Sequence, residues 1–369
     1  MVDAIAEFKP DWASPPGETI LDLAEEKSWT QSELAKRLGY SDKHLSLLVN
    51  GKVSLTLDAA ARLERVLGGS VEFWMNREAH YQRHNARLEA ERNYHAWSDW
   101  LEQLPVLELM KIEAIPKLRN VAKNKPAIVE HCLRFFGIAS PGEWQAHYAG
   151  MEFSFRRSQT LSADVGAVSA WLRLGEQTAE RLELPKYNKR KFELALEQIR
   201  SMTLLKPDEF IPQMKALLTQ AGVCLALVPA IPKARVSGVA RWLNPSKPLI
   251  QLSLYGKTSD KFWFTFFHEA AHLLLHAEAG KGKQAIFLDD PGTGRSDNEQ
   301  EHEANLWAAH YLIPPQYEPE FRLLKSRDDI LGFAQKIQIH PGIVVGRLQH
   351  EGLMDFRQLN GLKTAYEWT

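Results

Sequence analysis

The sequence predicts a mostly helical α+β protein in three parts: a helix-turn-helix bundle over residues 1–83, a helical middle over 84–205, and a domain with a small sheet and paired helices over 206–369. Three observations carry this. Short helical segments with clear caps run from Glu18 to Tyr81. Residues 82–200 are rich in Arg, Glu, Trp and Leu and contain few β-rich runs. After Pro207 three β-type runs appear, followed by a strongly apolar helix. A chain of 369 residues also exceeds what one ordinary core organises.

Composition narrows the class further. Hydrophobic residues make up 44% and charged residues 25%, as in ordinary globular proteins. Forty-five basic residues face 46 acidic ones, for a formal net charge of -1. That balance still permits a locally basic nucleic-acid surface. Cys132 and Cys224 are far apart, so they build neither a disulfide framework nor a cysteine metal cluster, and they fit a reducing compartment. The first 17 residues contain Asp3 and Glu7 and no long apolar run, unlike a secretory signal. The most apolar stretch, Phe262 to Leu275, is too short to cross a bilayer and contains His268, Glu269 and His272. The expectation is a cytoplasmic protein with no membrane partner.

The N-terminal elements follow from local signals. Residues 1–16 read as an extended arm ending in Ser14-Pro15-Pro16. Glu18 to Glu26 is the first helix. Thr30 and Glu33 form a capping-box pattern opening a second helix that stops at Gly39. Ser41 caps a third, Asp42 to Asn50, closed by Gly51. Ala35, Leu38, Leu45 and Leu48 form the inner face. Two short helices joined by a glycine-containing turn are the helix-turn-helix pattern. Between positions 27 and 52, five basic residues (Lys27, Lys36, Arg37, Lys43, Lys52) stand against Glu33 and Asp42. Lys43, His44, Ser46, Val49 and Asn50 are read as the outer side of the third helix. Such residue types meet base edges and phosphates. A helical docking domain without DNA affinity is the plainer alternative.

In the middle region, Ser140-Pro141-Gly142-Glu143 has a capping-box pattern with proline at the first helical position. Trp97, Trp100, Trp144 and Trp171 read as core and interdomain packing, and Arg156-Arg157-Ser158 as a solvated turn. In the last part, Gly222 to Val228, Ala234 to Leu243 and Pro248 to Leu254 are the candidate strands. Leu249 to Leu254 is a candidate edge strand for an extended peptide, or an ordinary sheet edge. A Gly/Asp-rich loop spans 279–297, and a helix over 298–312 stops before Pro314-Pro315, capped by Asp297 or Asn298. Two or three short helices end the chain.

The chemistry concentrates in the apolar helix. His268-Glu269-Ala270-Ala271-His272 has the form H-E-x-x-H. Residues four apart share a helix face, so both histidines reach one metal ion. Glu269, turned by about 100°, is placed to take a proton from water at that ion. The apolar flanks bury these polar groups, which then need partners. A catalytic zinc uses three protein ligands and a water. Glu301 on the next helix is the third ligand, with Asn305 one turn later placed behind a ligand histidine to hold its ring. Glu303, turned by about 160°, reads as a solvated carboxylate. His276 reads as a packed or surface histidine, because three histidines spaced by four drift around a helix. The metzincin spacing is absent, since Leu275 and Glu278 occupy the positions it reserves for Gly and His. Arg241, Tyr255, His310 and His340 are candidates for stabilising an oxyanion.

The segments His268-Glu269-Ala270-Ala271-His272-Leu-Leu-Leu-His276, Glu301-His-Glu303-Ala304-Asn305 and Ile339-His340-Pro341-Gly342, over roughly residues 220 to 355, resemble the ImmA/IrrE family of metallo-endopeptidases. That resemblance implies a gluzincin-like zinc peptidase fold, Zn2+ held by His268, His272 and Glu301, and Glu269 as the base. It also implies cleavage of a repressor protein. Residues 16–81 are similar to the lambda-repressor-like HigA/XRE type of antitoxin-repressor domain. By that similarity Gln31 contacts phosphate, and Lys43, His44 and Ser46 face the major groove. A homodimer on a double-stranded DNA operator is then expected. Two functions remain open at this point: a transcriptional regulator with zinc endopeptidase activity, acting on a protein or peptide substrate, and a HigA-like antitoxin that binds a toxin and uses the zinc fold as scaffold or sensor. The intact Glu269 favours the enzyme, since a scaffold needs only the ligands.

Overall fold

The structure, a computed structural model, describes residues 12, 14–148, 164–253, 258–276, 287–288 and 299–366. The expected extended arm and the basic spot at 156–158 lie outside them, apart from the last residues of the arm. Contacts divide the chain into two compact units, residues 1–98 with 125–127 and residues 99–124 with 128–369.

The first unit is a bundle of α1 (Pro16–Glu26), α2 (Gln31–Leu38), α3 (Asp42–Val49), α4 (Leu57–Leu67) and α5 (Val71–Ala96). Four of its five helix starts follow one rule, a hydroxyl accepting a backbone N–H left without a helical partner, while α1 starts behind Pro15 with proline at its first position and no side-chain cap. Thr30, Ser41, Thr56 and Ser70 accept from Glu33, His44, Ala59 and Phe73 at 3.1–3.2 Å. The expected capping box at α2 is half made: Thr30 caps, but the Glu33 carboxylate pairs with Arg37 at 2.8 Å. Gly39 takes the left-handed conformation, φ 73°, that ends α2 and turns the chain into α3. Ile20, Leu34, Ala35, Leu38, Leu45, Leu48, Leu63 and Trp74 form the core. Helix α5 continues unbroken past position 83, where the sequence suggested a division, since no glycine or proline interrupts it.

The second unit contains α6 (Val106–Lys111), most of α7 (Lys125–Phe136), helical residues 141–148 (α8), α9 (Val165–Glu180), α10 (Lys189–Ser201) and α11 (Pro207–Gln220). At the start of α8, Ser140 receives the Gly142 N–H at 3.2 Å and hydrogen bonds to the Glu143 carboxylate. Trp100, Phe136, Trp144 and Tyr148 pack edge to face or tilted, as expected for core aromatics. A sheet follows, of β1 (Cys224–Val228), β2 (Gly238–Asn244), β3 (Lys247–Ser253) and β4 (Phe287–Leu288), in the order β1-β3-β2-β4. Strand β3 runs parallel to β1, with Cys224 opposite Leu249, and antiparallel to β2, with Val239 opposite Gln251.

This order corrects the expected edge role of Leu249 to Leu254. Strand β3 is paired on both sides, and its residues from Pro248 to Ser253 are buried, as a strand in mid-sheet requires. Within the expected 279–297 loop, Phe287 and Leu288 pair with Ala240 and Val239 of β2, so β4 borders the sheet there.

Side chains alternate across the sheet. Ile250, Leu252 and Ala240 enter the large core with α12 (Ser259–Ala271). On the other face Gln251 donates to Trp171 O of α9 at 2.6 Å. Helix α13 (Glu299–Leu312) packs beside α12, followed by α14 (Glu318–Phe321), α15 (Arg327–Ile337) and α16 (Pro341–His350). The guanidinium of Arg200 on α10 donates to Tyr311 O at 2.9 Å, Leu312 O at 2.8 Å and Ile337 O at 3.1 Å. Arg347 on α16 adds contacts to Ala309 O at 3.4 Å and Ile313 O at 3.3 Å. Together they place two cations at the C-terminal end of α13, where the Tyr311 and Leu312 carbonyls lie in the last turn. No helix among the described residues is long and apolar enough to cross a membrane.

Candidate metal centre

Helix α12 is buried on nearly every side, with Phe262, Trp263, Phe266, Phe267, Ala270 and Ala271 in the core. This explains its all-round hydrophobicity and fixes its polar residues against the sheet and α13. His268 is 1% exposed, and Glu269 and His272 are 0%. The Nε2 atoms of His268 and His272 face each other at 3.0 Å. Glu301 of α13 closes the group, with Oε2 at 3.2 Å from His268 Nε2 and Oε1 at 3.4 Å from His272 Nε2. Glu301 shares its helix face with buried Ala304, Ala308 and Leu312, which press α13 onto the core.

These three donors fit a metal ion. Ligands at about 2.0–2.1 Å from a tetrahedral ion lie about 3.3 Å from one another. The observed separations of 3.0, 3.2 and 3.4 Å bracket that distance. Among the described residues His268, His272 and Glu301 are the group so arranged. Their protonation suits the task. Burial pushes the His272 imidazole down to about 4, which leaves it neutral near pH 7. Burial works to raise Glu301, but hydrogen bonds from His268 and His272 outweigh it and hold the carboxyl at about 2, ionised.

Glu269 lies under β2, where the missing side chain of Gly238 makes room. A Cβ there would stand 2.7 Å from Glu269 Oε1, 2.9 Å from its Cγ and 2.6 Å from Thr265 Cγ2. Nothing in the sequence marked Gly238, because only the sheet brings it to α12.

Behind the site stand His276, Glu303 and Asn305. From His272 to His276 the helix widens into a π turn, a form that recurs at functional sites. His276 is 5% exposed in its side chain, with Nδ1 at 3.0 Å from His272 Nδ1 and Nε2 at 3.0 Å from Glu303 Oε2. Glu303 therefore faces His276 and is not simply solvated. Asn305 is exposed one turn after Glu301 and, among the described residues, hydrogen bonds to neither His268 nor His272.

Two oxyanion candidates are occupied elsewhere. Arg241 is buried on the opposite side of β2, donating to Glu176 Oε1 and Leu172 O at 2.8 Å each. His340 caps α16, its Nδ1 accepting the Gly342 N–H at 3.0 Å. His310 is half-buried on α13, and Tyr255, Asp297 and Asn298 lie outside the described residues.

In the other unit, Gln31 is the first residue of α2, and Lys43, His44 and Ser46 line the outer side of α3; all four are exposed. The His44 ring stands edge-on to Tyr40 at 4.5 Å. Asn50 is exposed and its amide donates to Ser46 O at 2.7 Å. Val49 is not on that outer side. It is 6% exposed and packs where α1 crosses, and a Cβ on Gly17 would fall 1.8 Å from Val49 O.

Residues 20–74 match the family model for helix-turn-helix domains, and residues 230–348 match the model for the IrrE N-terminal-like domain, a peptidase M78 model. No curated protein matches the chain. The second match contains His268, Glu269, His272 and Glu301, and the first contains α2 and α3. The chain therefore joins a helix-turn-helix domain of the DNA-binding regulator type to a metallopeptidase-like domain of the IrrE N-terminal kind.

Proposed function

We propose that this protein is a DNA-binding regulator with zinc-dependent endopeptidase activity, and that it acts by cleaving a repressor or another partner protein. The observation that carries the reading is the convergence of His268, His272 and Glu301 beside the buried Glu269. A zinc ion held by those three residues supplies Lewis acidity toward a peptide carbonyl and lowers the pKa of water to about 7. The chain's own residues do the rest. Glu269 accepts the proton of the attacking water and later donates it to the departing amine. The wall of Phe262, Phe266 and Phe267 keeps α12 in one position, and Gly238 leaves the carboxylate its place. In the N-terminal part, Lys43, His44 and Ser46 read the major groove and Gln31 holds phosphate, in a homodimer on a cytoplasmic DNA operator.

Glu269→Gln tests the reading. The variant keeps the ligands, so it should bind zinc as the parent does. Cleavage of repressors encoded beside the gene should fall about 10²–10⁴-fold, the usual contribution of a general base. Full cleavage by the variant overturns the peptidase. Unchanged gene regulation by the variant, with a cognate toxin bound, makes the protein an antitoxin-type repressor whose zinc fold is a scaffold.

A further inference from the structure

We propose that Tyr40 is a positioning residue for sequence readout: its ring holds the His44 imidazole in one place on the outer side of α3, and Arg62 of α4 holds the Tyr40 ring in turn. The inference rests on the DNA-binding reading and extends it to two residues outside the recognition helix.

The turn between α2 and α3 is fixed by its backbone. Gly39 takes the left-handed conformation, and the Tyr40 N–H donates to Ala35 O at 2.9 Å across the end of α2. Arg62 secures the same end, donating from Nη1 to Leu38 O at 3.0 Å and from Nε to the Asp58 carboxylate at 2.7 Å. A Cβ on Gly39 would lie 3.0 Å from Arg62 Nη1, so the glycine also leaves room for the guanidinium. Tyr40 is half-buried and packs on the core of the bundle. The Arg62 guanidinium lies over its ring, 5.4 Å from the centroid. Backbone, core and cation together leave the phenol ring little freedom.

His44 is the opposite case. It is exposed in the first turn of α3, where its N–H donates to Ser41 Oγ at 3.2 Å. An exposed side chain samples several rotamers and loses that freedom when it is immobilised in a complex. Here a ring contact restrains it in advance: the Tyr40 and His44 centroids are 4.5 Å apart, with 63° between the ring planes. Edge contacts of this kind between rings are favourable. An imidazole is attracted to an aromatic ring whether it is neutral or charged. Tyr40 therefore acts through His44, by presenting the imidazole to a base edge from the place it already occupies.

The test uses the full-length chain and two duplexes: the tightest binder that the parent recovers from a random-sequence pool, and a scrambled version of it. Fluorescence anisotropy at one salt concentration gives the ratio of the two dissociation constants. Tyr40→Leu keeps apolar bulk and removes the ring. It should lower the ratio about 2–12-fold through weaker binding of the selected duplex, with the scrambled duplex unchanged within about twofold. Tyr40→Phe keeps the ring and should restore the parent ratio. Arg62→Gln removes the cation from over the ring and should move the ratio in the same direction as Tyr40→Leu. His44→Ala should lower the ratio too, and neither Tyr40→Leu nor Arg62→Gln should lower it further in that background. In the parent, a nuclear Overhauser contact between the Tyr40 and His44 ring protons checks the geometry without any substitution. The positioning role is overturned if that contact is absent, if both variants leave the ratio unchanged, or if their losses add in full to that of His44→Ala. Equal losses on both duplexes overturn it as well, since they mark a general effect on the turn. A parent that binds both duplexes alike overturns base readout itself, and the positioning role with it. A discriminating parent whose Tyr40 and Arg62 variants discriminate equally well overturns the positioning role alone.

Discussion

Replacing Gly238 by alanine adds one methyl group beside Glu269. The backbone at 238 is outside the left-handed region, so alanine meets no conformational penalty there. The cost comes entirely from contact. The new carbon would stand 2.6 Å from Thr265 Cγ2, 2.7 Å from Glu269 Oε1 and 2.9 Å from Glu269 Cγ. Comfortable carbon contacts lie at about 3.5–4.0 Å, so strand and helix must part by roughly 0.6–1.4 Å, or the side chains must move. Overpacking of this size costs about 1–3 kcal/mol. For a unit this large that lowers the melting temperature by about 2–10 °C. Calorimetry of the full chain measures it in four proteins: parent, Gly238→Ala, Glu269→Ala and the double variant. Removing the Glu269 side chain abolishes two of the three contacts, so the pair should be non-additive by at least about 1 kcal/mol, beyond the 0.3–0.5 kcal/mol scatter of independent sites. Thr265→Ser removes the third contact and keeps the hydroxyl, and should recover part of the loss. Additive effects, or an unperturbed Gly238→Ala protein, would refute the claim that this glycine makes the place for the carboxylate.

Two further outcomes follow from titration and charge. His272 sits at about 4 when folded, against an ordinary 6.5. Between those values the unfolded chain binds a proton that the folded chain refuses, so metal-free stability should fall as pH drops from 6.5 toward 4, by at most about 3 kcal/mol, and be flat above. Glu301, held at about 2, extends the fall below pH 4.5. Denaturation midpoints in chelator, with His272→Ala as the flattened control, check the slope; equal slopes in both proteins count against it. Lys43→Ala should weaken DNA binding and, if Lys43 meets phosphate, reduce the slope of log affinity against log salt by about one. Fluorescence anisotropy at several salt concentrations measures this, and unchanged affinity would make α3 a docking helix.

Much was legible in the sequence where the determinant was local. Thr30, Gly39 and Ser41 announce α2 and α3, because each cap is a contact within a few residues. The spacing of His268 and His272 likewise follows from helix geometry. Glu301 needed one further step, a carboxylate opening the next helix. What escaped depends on distant pairing or on a departure from the regular helix. The apolar run of β3 does not say whether one neighbour or two will flank it, and β1 and β2 bury it on both sides. Val49 sits among polar residues of α3 but meets α1 at Gly17. Arg241 suggested a catalytic cation, yet its partners Glu176 and Leu172 come from α9, 65 and 69 residues earlier in the chain. The contact of His276 with Glu303 was hidden because a 3.6-residue repeat does not foresee a π turn.

The two guanidiniums at the end of α13 place control of the Glu301 carboxylate at a distance. Glu301 lies in the first turn of a 14-residue helix, and Arg200 and Arg347 grip carbonyls of residues 309–313. A helix is stiff along its axis, so a slip of the gripped end carries Glu301 along over a span of about 16 Å. The spacing of the three-residue cluster is thereby open to adjustment by substitutions on α10 and α16, which leave each of its donor atoms chemically intact.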